Sequence, residues 1–229
     1  MDCFKNLFKP ATPAVVIPIE TVTDVVKPSG KYSLMIDVSH YEPIPSDYKQ
    51  LILSGVRAVY VKASEHAMDS LLHAHIKAAQ AAGLPCGAYH FLHCSGDPSA
   101  QAKMFLDSVK DLKLELRHCL DWEGGSADGQ SNAHQFAIAQ SWLDIVEKAS
   151  GHIPCVYSGY SFAKDLKLPV SFAKYPLWLA RYTSNAITDT PAPWKQYAAW
   201  QYTDALKLNG LAGGHSVDAS RADLSALLI

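Results

Sequence analysis

The sequence predicts an α/β fold: a single irregular (β/α) barrel, five βα units followed by three helix-poor strands. Three observations carry this. Short apolar runs alternate with helical segments from Leu34 to about residue 165. Repeated βα units imply a parallel sheet with helices outside it. Three further apolar runs, separated only by loops, bring the strand count to eight, a number that suits closure. Residues 1–30 read as an N-terminal extension rich in Pro, Val and Thr, and 31–229 as the barrel domain; neither an internal repeat nor a second domain is visible.

Each element has its own signal. Leu34–Val38 is short and apolar, as a buried strand should be. Asp47–Ser54 reads as a helix stopped by Gly55, and Val56–Val61 as a second strand. Ser70–Ala82 is Ala-rich and ends at Gly83; Pro85–Leu92 is a third strand. Asp97 and Pro98 then suit the N-cap and first position of a helix running to about Leu112. Glu115–Trp122 is the fourth strand. Asn132–Ala149 is a helix with Phe136, Ala139, Trp142, Leu143 and Val146 near one face. Ile153–Tyr157 is the fifth strand, followed by a short helix near Phe162–Asp165. Pro176–Ala180, Gln196–Tyr202 and His215–Ala219 complete the set.

Composition narrows the function. With 48% hydrophobic and 18% charged residues and a formal net charge of −2, the chain has no global field that would draw nucleic acid or an anionic membrane. No run approaches the roughly 20 apolar residues of a membrane span, and the start carries no convincing signal peptide. Five cysteines make an odd count, and four of them (Cys86, Cys94, Cys119 and Cys155) sit in or beside apolar runs. They read as buried free thiols made in a reducing compartment. His90, His93 and Cys94 cluster, but no second pair follows at zinc spacing.

In such barrels, reactive groups collect where strands end. Acids recur there: Asp37, Asp121, Glu123 and Asp218. Aromatics accompany them: Tyr89, Phe91, Tyr157, Trp178, Tyr182, Trp200 and Tyr202, with Lys62, Glu65 and Arg181 at neighbouring ends. Flat apolar faces beside carboxylates suit a carbohydrate, and glycoside hydrolysis needs two such acids. Asp121 and Glu123, one residue apart on a strand, share a face with Cα atoms about 6.6 Å apart. Mutual repulsion is expected to raise the pKa of one of them, as a general acid requires; Glu123 has the longer reach. Taken singly, these residues have ordinary explanations. Asp37 suits a loop cap, Asp218 an N-cap for a helix over Ser220–Leu228, and Lys62 with Glu65 a surface ion pair. Their shared position at the strand ends favours a site.

Met35-Ile36-Asp37-Val38-Ser39, Val61-Lys62-Ala63-Ser64-Glu65, Gly87-Ala88-Tyr89-His90-Phe91, Leu120-Asp121-Trp122-Glu123, Trp178-Leu179-Ala180-Arg181-Tyr182, Trp200-Gln201-Tyr202-Thr203 and Val217-Asp218 stand in this order. Together they resemble the lysozymes of glycoside hydrolase family 25, found among phage endolysins and bacterial muramidases. The resemblance runs from Leu34 to the C-terminus. It implies cleavage of the β-1,4 bond between N-acetylmuramic acid and N-acetylglucosamine. Glu123 would be the acid/base, Asp121 would orient the substrate's 2-acetamido group, and Asp37 and Asp218 would complete the acidic cluster. It implies no metal and no cofactor. The expected partner is the peptidoglycan glycan strand, met by a monomer that is made in the host bacterial cytoplasm and released to the wall. This chain departs from the family pattern at His40-Tyr41-Glu42-Pro43, where Gln and Gly are frequent, and at His66, where Gly usually stands.

Two rival readings follow from the same residues. A chitinase-like or glucosaminidase barrel would share the strand-four acids, but the longer Asp-x-x-Asp-x-Asp-x-Glu run has Glu115 and His118 at its upstream positions here. A non-catalytic wall-binding protein would keep the barrel without turnover. A serine hydrolase is disfavoured, since Tyr157-Ser158-Gly159-Tyr160-Ser161 does not form Gly-x-Ser-x-Gly.

Overall fold

The computed structural model describes residues 32–229; the expected N-terminal extension, including Cys3, lies outside them. The chain order is β1 (Ser33–Val38), α1 (Tyr48–Leu53), β2 (Val56–Ser64), α2 (Leu72–Ala81), β3 (Cys86–Phe91), α3 (Pro98–Val109), β4 (Cys119–Asp121), α4 (Asn132–Ser150), β5 (Cys155–Gly159), α5 (Tyr160–Leu166), β6 (Leu177–Ala180), β7 (Ala199–Leu206), β8 (Val217–Ala222) and α6 (Leu224–Leu227). The strands neighbour one another in sequence order and close into a barrel.

The sheet is parallel from β1 through β7, as the repeated βα units imply. β8 runs antiparallel to both β7 and β1. β7 and β8 are joined by a loop without a crossover helix, and a direct return of this kind makes antiparallel neighbours. Helix termini follow their local chemistry. The Asp97 carboxylate accepts the Ser99 N–H at 2.9 Å, with Pro98 opening α3. Gly151, at φ 74°, ends α4 in the left-handed conformation that favours glycine.

The fourth strand is shorter than expected, three residues instead of eight. The backbone before it is committed elsewhere: the Glu115 and Leu116 N–H groups donate to the Cys86 carbonyl, and Arg117 N–H donates to the Leu227 carbonyl. Asp218 is not a helix cap either. β8 runs through it to Ala222, and Asp223 caps α6 by accepting the Ser225 N–H.

Strand alternation divides the core in two. Ile36, Val38, Val59, Val61, Leu120, Trp122 and Val156 face outward and pack against the helices. Met35, Ala58, Tyr60, Cys119, Cys155, Trp178, Ala199 and Ala222 fill the barrel interior. The Tyr60 ring needs the space left by its strand partner Gly87, where a Cβ would stand 2.4 Å from Tyr60 Cε1. Trp122 is fully buried outside the barrel, its ring against Phe136, Phe162 and Phe172. That anchor turns its neighbours Asp121 and Glu123 inward.

Candidate active site

The barrel mouth opens into a cleft of about 270 Å³. Ten residues anticipated from the sequence line it: Asp37, Lys62, Tyr89, Phe91, Asp121, Glu123, Tyr157, Trp178, Tyr182 and Asp218. Trp178 lies at its base, its indole N–H donating to Ser220 Oγ at 2.9 Å and its ring against Tyr60 and Tyr157. Glu123 follows β4 in extended conformation. Its backbone N–H donates to Ser126 Oγ at 3.2 Å, and its carbonyl accepts the Ser126 N–H at 2.9 Å. The end of the strand is thereby fixed.

Asp37 and Asp218 face each other across β1 and β8. Gln201, on the inward face of β7, ties them together: its Nε2 donates to Asp37 Oδ2 at 3.0 Å and to Asp218 Oδ2 at 3.1 Å. Its Oε1 accepts from the hydroxyls of Tyr157 at 2.9 Å and Tyr182 at 3.0 Å. This pattern fixes the amide's orientation, since the flipped amide would set oxygen against two carboxylates. By contrast, Asp121 Oδ1 is buried without a hydrogen-bond partner.

Three carboxyls are held above the usual range. Burial is the largest cause for each. For Asp37 the Asp218 charge adds to it, and for Asp121 the Glu123 charge. Asp218 is pushed up to about 7 by burial and then by Glu42. The sequence had pointed to mutual repulsion, but desolvation contributes more, because these acids sit inside the mouth and not on its rim. Burial and the same acids also raise the phenols of Tyr89 and Tyr157.

Four anticipated residues are placed elsewhere. Glu65 pairs with Lys62 and with His93, outside the cleft wall. Arg181 lies over the Tyr160 ring at 4.1 Å and pairs with Asp189. Trp200 and Tyr202 share the outer face of β7, beneath Arg221. The zinc corner considered at His90, His93 and Cys94 does not assemble: His90 is buried between Ser64 and Gln101 and stacks on Trp142.

The cleft also holds residues that sequence reasoning did not single out: Val38, Ser39, Tyr41, Glu42 and Gln201. Glu42 is positioned by Ser39, whose N–H and hydroxyl donate to Oε2 at 2.8 and 3.0 Å. His75 Nε2 faces the Ser39 and Glu42 carbonyls at 3.2 and 3.1 Å, pinning the loop from behind. For Gln201 a signal existed, since it lies between Trp200 and Tyr202 and must face the opposite way.

A closed barrel whose mouth gathers carboxylates over an aromatic base is an architecture suited to carbohydrate chemistry. Residues 36–211 match Glycosyl hydrolases family 25, and the chain belongs to that family. It is 32% identical over 181 residues to an autolytic lysozyme of Clostridium acetobutylicum, covering 75% of this chain and 51% of that one. It spans about half the length of the curated relatives it matches. Among solved structures it is similar to a muramidase from Trichobolus zukalii, at TM-score 0.71 and 29% identity over 83% of this chain and 93% of that one. The fold is also that of the bacterial lysozyme from Streptomyces coelicolor, at TM-score 0.74 and 24% identity over 83% and 91% of the two chains.

Proposed function

We propose that this chain is a muramidase that hydrolyses the β-1,4 bond between N-acetylmuramic acid and N-acetylglucosamine in peptidoglycan. The observation that carries this reading is the convergence of Asp37, Asp121, Glu123 and Asp218 in one cleft of a family 25 barrel. In this mechanism Glu123 protonates the glycosidic oxygen as the substrate's own acetamido oxygen attacks C1 and the C1–O bond breaks. The acetamido N–H donates to Asp121 Oδ1, which has no partner inside the protein. Water then opens the cyclic intermediate, with Glu123 taking its proton. Such substrate assistance is an established variant of two-carboxylate hydrolysis. Asp37 and Asp218 hold sugar hydroxyls, and Tyr89 and Phe91 offer apolar faces to the rings, with Trp178 buried beneath them as their support.

Digestion of purified peptidoglycan, followed by mass spectrometry of the new reducing ends, tests this. Ends in N-acetylmuramic acid that vanish with Glu123→Gln support it. Ends in N-acetylglucosamine would make the chain a glucosaminidase, and binding without new ends would make it a wall-binding protein.

An endolysin-like role is a finer part of the same proposal: synthesis in a host bacterial cytoplasm, then release to the wall. Cys86, Cys94, Cys119 and Cys155 are buried free thiols, and Cys119 and Cys155 are register partners on adjacent strands. Thiols kept reduced at such close quarters suit a reducing compartment of synthesis. Expression inside a bacterium is expected to cause lysis only once the inner membrane is permeabilised. Lysis without permeabilisation overturns this part alone.

A further inference from the structure

Just outside the acidic cleft, the loops after β2 and β3 bring together Glu65, His66 and His93. One ligating atom from each lies within 4.8 Å of the other two. The His93 Nε2 to Glu65 Oε1 separation is 3.1 Å, and the His66 and His93 rings stack with centroids 4.0 Å apart. In a tetrahedral site with metal–ligand bonds of about 2.0–2.2 Å, adjacent ligand atoms stand roughly 3.3–3.6 Å apart. Glu65 and His93, at 3.1 Å, stand slightly closer than that and need only a small separation to admit an ion, and the His66 ring is exposed to solvent.

The surroundings support ligation. Glu65 gives Oε2 to Lys62 and turns Oε1 toward His93. It can therefore ligate through one oxygen without losing its ion pair. The other ring nitrogen of His93, Nδ1, faces the Asp128 carboxylate at 3.3 Å. Asp128 is itself held by the backbone N–H and hydroxyl of Ser95, at 3.1 and 2.9 Å. A carboxylate behind the distal nitrogen of a histidine orients the ring and makes the near nitrogen a better ligand. We propose that Glu65, His66 and His93 form a site for an imidazole-preferring divalent cation of the Zn²⁺, Co²⁺ or Ni²⁺ class, with Asp128 as the group that positions His93. Two imidazoles and one carboxylate select such ions over Mg²⁺ and Ca²⁺, which favour oxygen ligands.

The test is titration of the full metal-free chain with Zn²⁺ and Co²⁺, read by calorimetry, by Tm and by the visible spectrum of the Co²⁺ form. Expected are one equivalent bound, a Tm that rises with Zn²⁺ and stays unmoved by Mg²⁺, and a Co²⁺ spectrum without thiolate charge transfer. His66→Ala removes an exposed ligand and is expected to weaken affinity at least about 10-fold with little change in the metal-free Tm. Asp128→Asn is expected to cost about 10- to 100-fold in affinity, because an amide can donate to His93 Nδ1 and force the proton onto Nε2. Asn also tolerates the left-handed backbone at this position, φ 49°, so the variant keeps the loop. No binding by the wild type, a thiolate band, or unchanged affinity in His66→Ala would each overturn the proposal.

Discussion

Asp37 and Asp218 stand opposite each other on β1 and β8 and share one amide, with Gln201 Nε2 donating to an oxygen of each. Burial raises the pKa of both carboxyls; the Asp218 charge raises Asp37 further and the Glu42 charge raises Asp218, while the Gln201 amide partly offsets each. The arrangement provides negative charge and hydrogen-bonding capacity at the cleft floor at a cost in fold stability.

That cost has a definite pH window. Asp218 titrates near 7 when folded, against 3.8 for an unperturbed aspartate. Between those values the native state holds a proton that the unfolded chain has released, so stability falls as pH rises and levels off above about 7. Asp218→Asn keeps an acceptor for Gln201 and removes the charge. Thermal unfolding is expected to show the variant stabilised, on the order of 2 kcal/mol, at about pH 7.5 and nearly unchanged at about pH 4. Equal effects at both pH values would refute the linkage.

Gln201 satisfies four groups at once, two carboxylates and two phenols. Gln201→Leu keeps the bulk and strands them. The expected cost is about 1–3 kcal/mol in stability, with a fall in kcat larger than any rise in KM because the acids lose their fixed spacing. Urea unfolding and steady-state turnover of soluble peptidoglycan fragments check both. A change confined to KM would mean that Gln201 contacts substrate and does not organise the acids.

Under the proposed mechanism, Glu123→Gln removes the proton donor and leaves the packing of Trp122 and Ser126 in place. Turnover is expected to fall about 10²–10⁴-fold with Tm within a degree or two of wild type. Retention of more than a tenth of the activity would assign the proton to another carboxyl.

Inward and outward side chains at the end of β6 are expected to separate in kinetics. Tyr182 is half exposed at the cleft rim with its hydroxyl on Gln201, whereas Arg181 turns outward to Tyr160 and Asp189. Tyr182→Ala is expected to raise KM several-fold, and Arg181→Ala to leave it unchanged. Fragment kinetics decide between these outcomes.

Much of this was legible in the sequence. Strand ends are local features, so Asp37, Asp121 and Asp218 could be placed at the mouth from short apolar runs alone. Facing is less local. Trp200 carried the stronger chemical signal, yet Gln201 faces inward, because the pairing of Trp200 with Arg221 sets the register before the irregularity between Gln201 and Thr203. The support behind Glu42 was not legible, since His75 reaches it from α2, 33 residues away. Nor was the shortness of β4, which depends on backbone bonds to the C-terminus.

The barrel interior makes one more prediction, about stability alone. Tyr60 fills the axis, donates its hydroxyl to the Arg117 carbonyl at 2.8 Å and packs on Trp178. Opposite it, a Cβ on Gly87 would fall 2.4 Å from one ring carbon and 2.8 Å from two others. A fully buried ring held by a hydrogen bond has no direction in which to yield, so Gly87→Ala overpacks the core. The expected destabilisation is about 1–3 kcal/mol, measured by chemical unfolding. If the clash is the cause, Tyr60→Leu costs less in the Gly87→Ala background than in wild type, because the smaller side chain makes room for the new methyl. Additive losses in the double variant would trace the effect to the strand backbone instead of the ring.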